Sequence, residues 1–460
     1  MNESKQFSFS RSFLHGELTI GAWTLIQKSI GVVSIYFILD ALTLYQYGVY
    51  QLLLAGYALV AGLFLTLFQD SVTNDIARSI ARAEEGKSKR LFFEYALFRT
   101  GMGAIPFLIT FAIAPYLSSS FGPDAILWIR ILSILFIIET LETLSLTLLK
   151  LRLDFRTAAK APAIEKFSQA LILAAFAVVG RLSIAEVVAA QVAASIVALL
   201  FLLRPTVAQL RSWNKIRAAS GSLLPDIIRT FGKWEIPQTL VRDAGVRIRP
   251  WLLKFFLGTE AVGVFGVANT AVDLLKNFIP RQTLATLIPR TIENREYTKM
   301  LSRVLGKYYL LAGGALAFLG AGVFPLTVYF LFPKFGESVS LFLLLALSIP
   351  AYTYGKLIGA FLIAWRRQRF IFISRAVQSI ASLVFLIAFI PLFGILGTAV
   401  AEILALTGTT MLVYRHLVQG GFLMPLAWGE LVSYTADDKK LIALLTRRFR
   451  RFAHTRQAVG

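Results

Sequence analysis

The chain has 460 residues, 57% of them hydrophobic and 16% charged, with a mean hydropathy of +0.68, a balance that excludes an ordinary water-soluble domain. Its formal net charge of +21 does not point to nucleic acid, because a basic soluble binder does not spend most of its length on apolar runs of about 20 residues. The absence of cysteine removes disulfides, thiolate catalysis and cysteine metal sites, and His15, His416 and His454 are too scattered to share a metal.

Twelve apolar segments follow in chain order, at 18–39, 45–68, 92–116, 125–149, 161–180, 183–203, 234–257, 260–280, 308–332, 338–365, 370–391 and 395–414. Each is about long enough to span a bilayer as a helix, so the fold class expected is an all-α polytopic membrane protein. The first segment is too long for a signal-peptide core and reads as a span that is its own insertion signal. Basic residues cluster in alternate connectors: Arg78 to Arg90 after span 2, Lys150 to Lys160 after span 4, Arg204 to Lys233 after span 6, Arg281 to Lys307 after span 8 and Arg366 to Arg369 after span 10. The intervening connectors hold only Arg181 and Lys334. The positive-inside rule then places both termini in the cytoplasm.

The segment "KWEIPQTLVRDAGVRIRPWLLKFF", Lys233 to Phe256, is unusually charged for a span. Removing it from the count flips every later connector and puts the Arg366 cluster outside, so it is counted as span 7. Of 47 lysines and arginines, 34 then lie in cytoplasmic connectors or tails, 2 in external connectors and 11 within spans. Most of the net charge is therefore a topology signal and an attraction to anionic lipid. The segment "KKLIALLTRRFRRFAHTR" near the C-terminus reads as an amphipathic helix on the inner leaflet. "EGKS" at Glu85 to Ser88 has Ala81 where a phosphate loop needs glycine, so no nucleotide site and no cofactor are expected.

The two halves echo each other at an offset of 215 residues: "YGVY" at Tyr47 to Tyr50 matches "VGVF" at Val262 to Phe265, Arg152 matches Arg367, and Phe155 matches Phe370. With the shared order of hydropathy and loop charge, this reads as two parallel six-helix repeats related by an axis along the membrane normal. The organisation expected is an N-terminal lobe over 1–205, a cytoplasmic linker over 206–232, a C-terminal lobe over 233–416 and a basic tail over 417–460.

The segments "LGTEAVGVFGVANTAVDLL" (Leu257 to Leu275), "FPKFGESVSLFLLLALSIP" (Phe332 to Pro350) and "IPLFGILGTAVAEI" (Ile390 to Ile403) resemble recurrent stretches of oligosaccharide and O-antigen flippases of the multidrug/oligosaccharidyl-lipid/polysaccharide exporter superfamily. The resemblance implies two six-helix bundles around a central water-filled cavity opening alternately to either face. It further implies a polyprenyl-diphosphate-linked oligosaccharide as cargo, moved outward for surface polysaccharide (O-antigen, lipopolysaccharide) assembly, with a polysaccharide polymerase and glycosyltransferases as partners. In such flippases an acidic residue often adjoins the arginine before this glycine motif, where this chain has Ile248 before Arg249. Related lipid II flippases usually have fourteen helices, two more than the twelve read here.

Ionisable groups within a span cost several kcal/mol and normally face a cavity or a partner. At about 1.5 Å per residue, Lys28 lies roughly 15 Å into span 1, while Arg242 and Arg249 lie roughly 12 and 22 Å along span 7. Arg242 and Arg249 are seven apart and share a face of an uninterrupted helix, a geometry that Pro250 and Pro237 can bend; with Lys28 they are the leading candidates for a ladder of cations binding a diphosphate. Asp243 and Arg247 either pair at i,i+4 or join that site. Arg99 and Arg130 either line the cavity or pair with Glu139 or Glu142. Glu165, Lys166, Lys254 and Lys276 are read as near span ends, where snorkelling suffices. Asp243, Asp273, Glu402 and Glu139 are candidates to bind a coupling proton or sodium ion, or to serve as counter-ions. The lipid tail of the cargo is expected to stay in the bilayer. No catalytic residue is expected, and a cation-coupled drug exporter of the same superfamily and a membrane-embedded transferase are the alternatives.

Overall fold

The computed structural model describes residues 3–118, 121–180, 182–279, 288, 295–365, 367–426 and 428–433. The side chains of Arg242 and Asp243, and the basic C-terminal segment beyond residue 433, lie outside the described residues. Among the described residues the regular structure is helical. In chain order the helices are α1 (Glu3–Ala41), α2 (Leu44–Leu65), α3 (Gln69–Ala81), α4 (Glu85–Ser118), α5 (Ala125–Leu151), α6 (Phe155–Val178), α7 (Ile184–Ser212), α8 (Leu224–Arg247), α9 (Arg249–Leu257) and α10 (Thr259–Lys276). They continue with α11 (Arg295–Leu331), α12 (Ser338–Ala346), α13 (Ile349–Ala364), α14 (Gln368–Phe393), α15 (Leu396–Gln419) and α16 (Trp428–Val432).

Each of the twelve apolar segments has a helical counterpart, with span 7 built from α8 and α9 and span 10 from α12 and α13. Among the described residues eight helices are long and apolar enough to cross a membrane by themselves, or nine when the bent pair α12–α13 is one span. The helices α5, α8–α9 and α10 carry internal charge and are not among those, so they depend on neighbours to shield their ionisable groups. Outward-facing side chains such as Phe318, 81% exposed, suit contact with lipid.

The chain divides into two compact units, Met1–Gly266 and Val267–Gly460. In the first, α1 packs on α6, α4 on α5, α5 and α6 on α7, and α8 on α2. The helices of span 7, expected to open the second lobe, thus pack within the first unit, and the division falls inside α10. In the second unit α11 packs on α13, α14 on α15, and α12 on α15.

Two features follow from the repeated motifs. Gly48 of α2 and Gly263 of α10 let two backbones meet: a Cβ on Gly48 would stand 2.1 Å from the Thr259 carbonyl oxygen, and one on Gly263 would stand 2.4 Å from that of Leu44. In the loops, the Arg152 guanidinium lies over the Trp213 ring at 5.0 Å, just past α7, and that of Arg367 lies over the Phe422 ring at 3.9 Å, just past α15. Each arginine sits beyond the fourth span of its half and clamps an aromatic beyond the sixth by a cation–π contact.

The connector between α7 and α8 is tied down. The Lys89 ammonium donates to the carbonyls of Trp213 at 2.9 Å and Ile216 at 3.0 Å, taking up acceptors left open at the end of α7. The Glu94 carboxylate, itself paired with Arg90 at 2.6 Å, accepts from the amides of Leu223 and Leu224 at 2.8 and 2.9 Å and so caps the start of α8. Beneath it, Val72, Ile76, Phe92, Leu148, Trp213 and Ile227 form one apolar cluster, which uses the buried face of α3.

Candidate functional site

Helices α2, α4, α5, α6, α7 and α8 bring a set of polar side chains into the interior of the first unit. Glu139 and Glu142 lie near the middle of α5, and Glu142 is 8% exposed. Glu165 and Lys166 lie about 15 Å along α6 from its start at Phe155 and are half-buried. Lys166 donates to Gln169 Oε1 at 2.8 Å, Gln169 Nε2 to Gln191 Oε1 at 2.6 Å, and Gln191 Nε2 to Glu165 Oε1 at 2.9 Å. Lys166 also stands 3.9 Å from Glu165, which closes the ring. Each glutamine accepts on one side and donates on the other, so the amides align in a chain that polarises from ammonium to carboxylate.

Arg99 of α4 is 4% exposed, donates to the Tyr95 hydroxyl at 2.8 Å and reaches Gln69 Oε1 at 3.5 Å. Arg99, Arg247 and Glu165 are all within electrostatic range of Glu139. The Tyr57 hydroxyl is buried beside Glu139 without a hydrogen bond of normal length. Three carboxylates, Glu139, Glu142 and Glu165, thus share the interior with three cations, Arg99, Lys166 and Arg247, and the formal charges cancel.

The span-7 candidates divide at a break. Ile248 separates α8 from α9, because Pro250 has no amide to continue the α8 ladder and its ring crowds the preceding turn. Arg242 and Arg249 therefore do not lie on one uninterrupted helix, which corrects the shared-face expectation. Arg247, Arg249 and Lys254 are each half-buried. Lys254 points its ammonium at the Phe121 ring, 3.6 Å from the centroid, and lies 5.9 Å from that of Trp251. Arg130 of α5 lies over Phe111 at 4.8 Å. Lys28 is half-buried in α1. Gly258, at φ +91°, turns the chain from α9 into α10 in a conformation that favours glycine.

In the second unit Lys276 pairs with Glu402 at 3.0 Å, and the two residues are 6% and 8% exposed. Lys276 is therefore buried and paired, where the sequence suggested snorkelling. Asp273 stands 3.9 Å from Lys276 with its side chain 55% exposed, and accepts from Asn269 at 3.1 Å. The ammonium groups of Lys276 and Lys356 lie 5.1 and 5.0 Å from the Tyr352 ring. Of the four ion-coupling candidates, Glu402 and Asp273 meet at one lysine and Glu139 belongs to the first-unit cluster. Gln169, Gln191 and Tyr57 escaped sequence reasoning, the one signal being glutamines inside apolar runs. Among the described residues no group of three or more acidic or histidine side chains is arranged to hold a metal ion.

Solved structures with this fold include a multidrug resistance MATE family transporter of the MOP superfamily in an inward-facing conformation, with a TM-score of 0.70 at 15% identity over 86% of this chain and 94% of that one. They also include lipid II flippase MurJ in an inward closed conformation, with a TM-score of 0.68 at 12% identity over 94% of this chain and 93% of that one. A comparison with curated proteins gives no match. Residues 42–332 match a family model described as polysaccharide biosynthesis protein, well over half the chain, and this multi-pass membrane protein belongs to that family.

Proposed function

We propose that the protein is a flippase that carries a polyprenyl-diphosphate-linked oligosaccharide from the inner to the outer leaflet by alternating access, without covalent chemistry. The observation that carries this reading is the run of three half-buried cations, Arg247, Arg249 and Lys254, across the α8–α9 break of a polysaccharide biosynthesis family member. A diphosphate cannot enter hydrocarbon unescorted, and guanidinium groups match its oxygens bidentately. Lys28, Arg242, Arg99 and Arg130 complete the proposed set, and Glu139 and Asp273 are proposed to take a coupling proton or sodium ion. The sugar-transferring and polymerising enzymes that make and consume the cargo are its proposed partners, at the bacterial inner membrane.

The test is Arg249→Ala in a strain that depends on this protein. The expected result is loss of surface polysaccharide at normal membrane abundance, and normal export overturns the assignment. A second reading, a cation-coupled exporter of amphiphiles, is favoured by Glu139, Glu142 and Glu165 inside the first unit. It predicts that the wild-type protein extrudes a cationic dye and that Arg249→Ala still does.

A further inference from the structure

The first unit contains an apolar cavity of about 160 Å³ among α2, α4, α5 and α9, lined chiefly by Leu53, Gly56, Tyr57, Phe121, Phe136 and Trp251. Its size is close to that of apolar protein cavities of about 150 Å³ that stay dry and take up a benzene-sized hydrocarbon, which limits an occupant to a five- or six-carbon unit. Gly56 allows the fit: a Cβ there would meet the Trp251 ring at 3.2 Å. The Tyr57 and Phe136 rings, 4.6 Å apart, close the opposite wall.

The cavity has a cationic rim. Lys254 lies on the Phe121 ring that forms part of the wall, one turn from Trp251. Arg130 follows the lining residue Ile129 on α5. Among the described residues, neither Lys254 nor Arg130 meets a carboxylate; both face aromatic rings. A hydrocarbon pocket beside ammonium and guanidinium groups held by aromatic faces is complementary to an amphiphile whose charge immediately follows a short, bulky apolar unit. A phospholipid places a glycerol and two ester groups between its phosphate and its chains. A polyprenyl diphosphate attaches its first branched, unsaturated five-carbon unit directly to the anion.

We infer that this cavity binds the first isoprene unit of a polyprenyl diphosphate, with Lys254 holding the diphosphate at the rim. The inference rests on the flippase reading and deepens it. It gives the lipid end of the cargo a fixed seat within the first unit, at the end of the bundle that the loop charges assign to the outer face.

The test uses the full-length protein in phosphatidylcholine nanodiscs and a sugar-free polyprenyl diphosphate with a photoreactive diazirine on its first isoprene unit. Adducts are expected on the peptides around Leu53 and Trp251, removed by excess unlabelled polyprenyl diphosphate and not by phosphatidylglycerol. Leu53→Trp, which fills the cavity, is expected to cut labelling at least ten-fold. Lys254→Gln is expected to cut it about ten-fold, with Lys254→Arg restoring it, and this rim pair tests the site even where the filled variant fails to fold. Adducts mapping elsewhere, equal competition by phosphatidylglycerol, or undiminished labelling of Lys254→Gln overturn the inference. Labelling at these peptides in a protein that flips no lipid-linked oligosaccharide tells against the flippase reading alone, and flipping without it tells against the seat alone.

Discussion

Removing one member of the Lys276–Glu402 pair should destabilise the second unit far more than removing both. At 3.0 Å and an effective dielectric of about 20, the attraction is about 5.5 kcal/mol. Burying the two ions costs a comparable amount, so the intact pair adds little net stability. Lys276→Met takes the ammonium away from a buried carboxylate and should cost about 3–5 kcal/mol. Glu402→Leu should cost less, because Asp273 remains 3.9 Å from Lys276; a pair that exposed is worth about 0–1 kcal/mol. The double variant Lys276→Met with Glu402→Leu removes both charges and should fall within about 1 kcal/mol of wild type. Equilibrium unfolding in detergent, followed by a probe placed in the second unit, measures all four corners of the cycle. Single-variant losses that add to within about 0.5 kcal/mol in the double variant would refute the reasoning, since independent sites behave that way and a desolvated pair does not.

Gly48→Ala should abolish accumulation of folded protein in the membrane, measured by size-exclusion chromatography, because its Cβ would stand 2.1 Å from a backbone oxygen. Gly31→Ala, with nothing within 4 Å, should be neutral or stabilising by up to about 1 kcal/mol. Glu94→Ala should cost about 1–2 kcal/mol by uncapping α8 and should speed limited proteolysis between residues 213 and 223. Arg152→Ala and Arg367→Ala should give small and similar losses in thermal scans, about 0.5–1 kcal/mol each. Gln191→Leu should depress transport, measured as lipid-linked oligosaccharide flipped in vesicles, more than Gln209→Leu, because Gln191 joins the Glu165 and Gln169 side chains.

The spans were legible because lipid demands long apolar helices whatever the tertiary arrangement. Alternating loop charge even recovered span 7, which hydropathy alone disfavours. Local spacing could not reveal the partners of buried charge. Lys276 and Glu402 are 126 residues apart, and only the packing of the second unit brings them together. Lys276 falls at the last residue of α10, a place where sequence position alone favours snorkelling. The same limit hid Gln169 and Gln191, which attract no attention by charge and matter because α6 packs on α7. At the α8–α9 break Pro250 marked the bend in the sequence, and the seven-residue spacing of Arg242 and Arg249 gives a shared face only on a continuous helix. Within the cytoplasmic linker expected over 206–232, the stretch between α7 and α8 is tied down from α4 by Lys89 and Glu94, contacts that local spacing does not show.

If the cargo is anionic, as proposed, the distribution of charge partners decides where it finds its foothold. At mid-depth in the first unit the cations Arg99, Lys166 and Arg247 lie among Glu139, Glu142 and Glu165, and in the second unit Lys276 lies between Glu402 and Asp273. Such cations are shared with carboxylates, so on the proposed reading Arg99 and Arg247 give a passing diphosphate a weaker foothold than Lys254 does. Lys254 and Arg130 are compensated only by ring faces among the described residues, an attraction of about 0.5–2 kcal/mol that a doubly charged phosphate group readily exceeds. A carrier must release its cargo as well as bind it, and cations at mid-depth without carboxylate partners would form a trap. On the proposed reading, neutralising the interior while leaving ring-held cations beside an apolar seat would lower the barrier to passage and keep selectivity for a charged lipid. Charge reversal should therefore act unequally: Lys254→Glu should reduce binding of a sugar-free polyprenyl diphosphate much more than Lys166→Glu, measured by photolabelling in nanodiscs, and equal losses would show that the interior cluster holds the cargo as tightly as the rim.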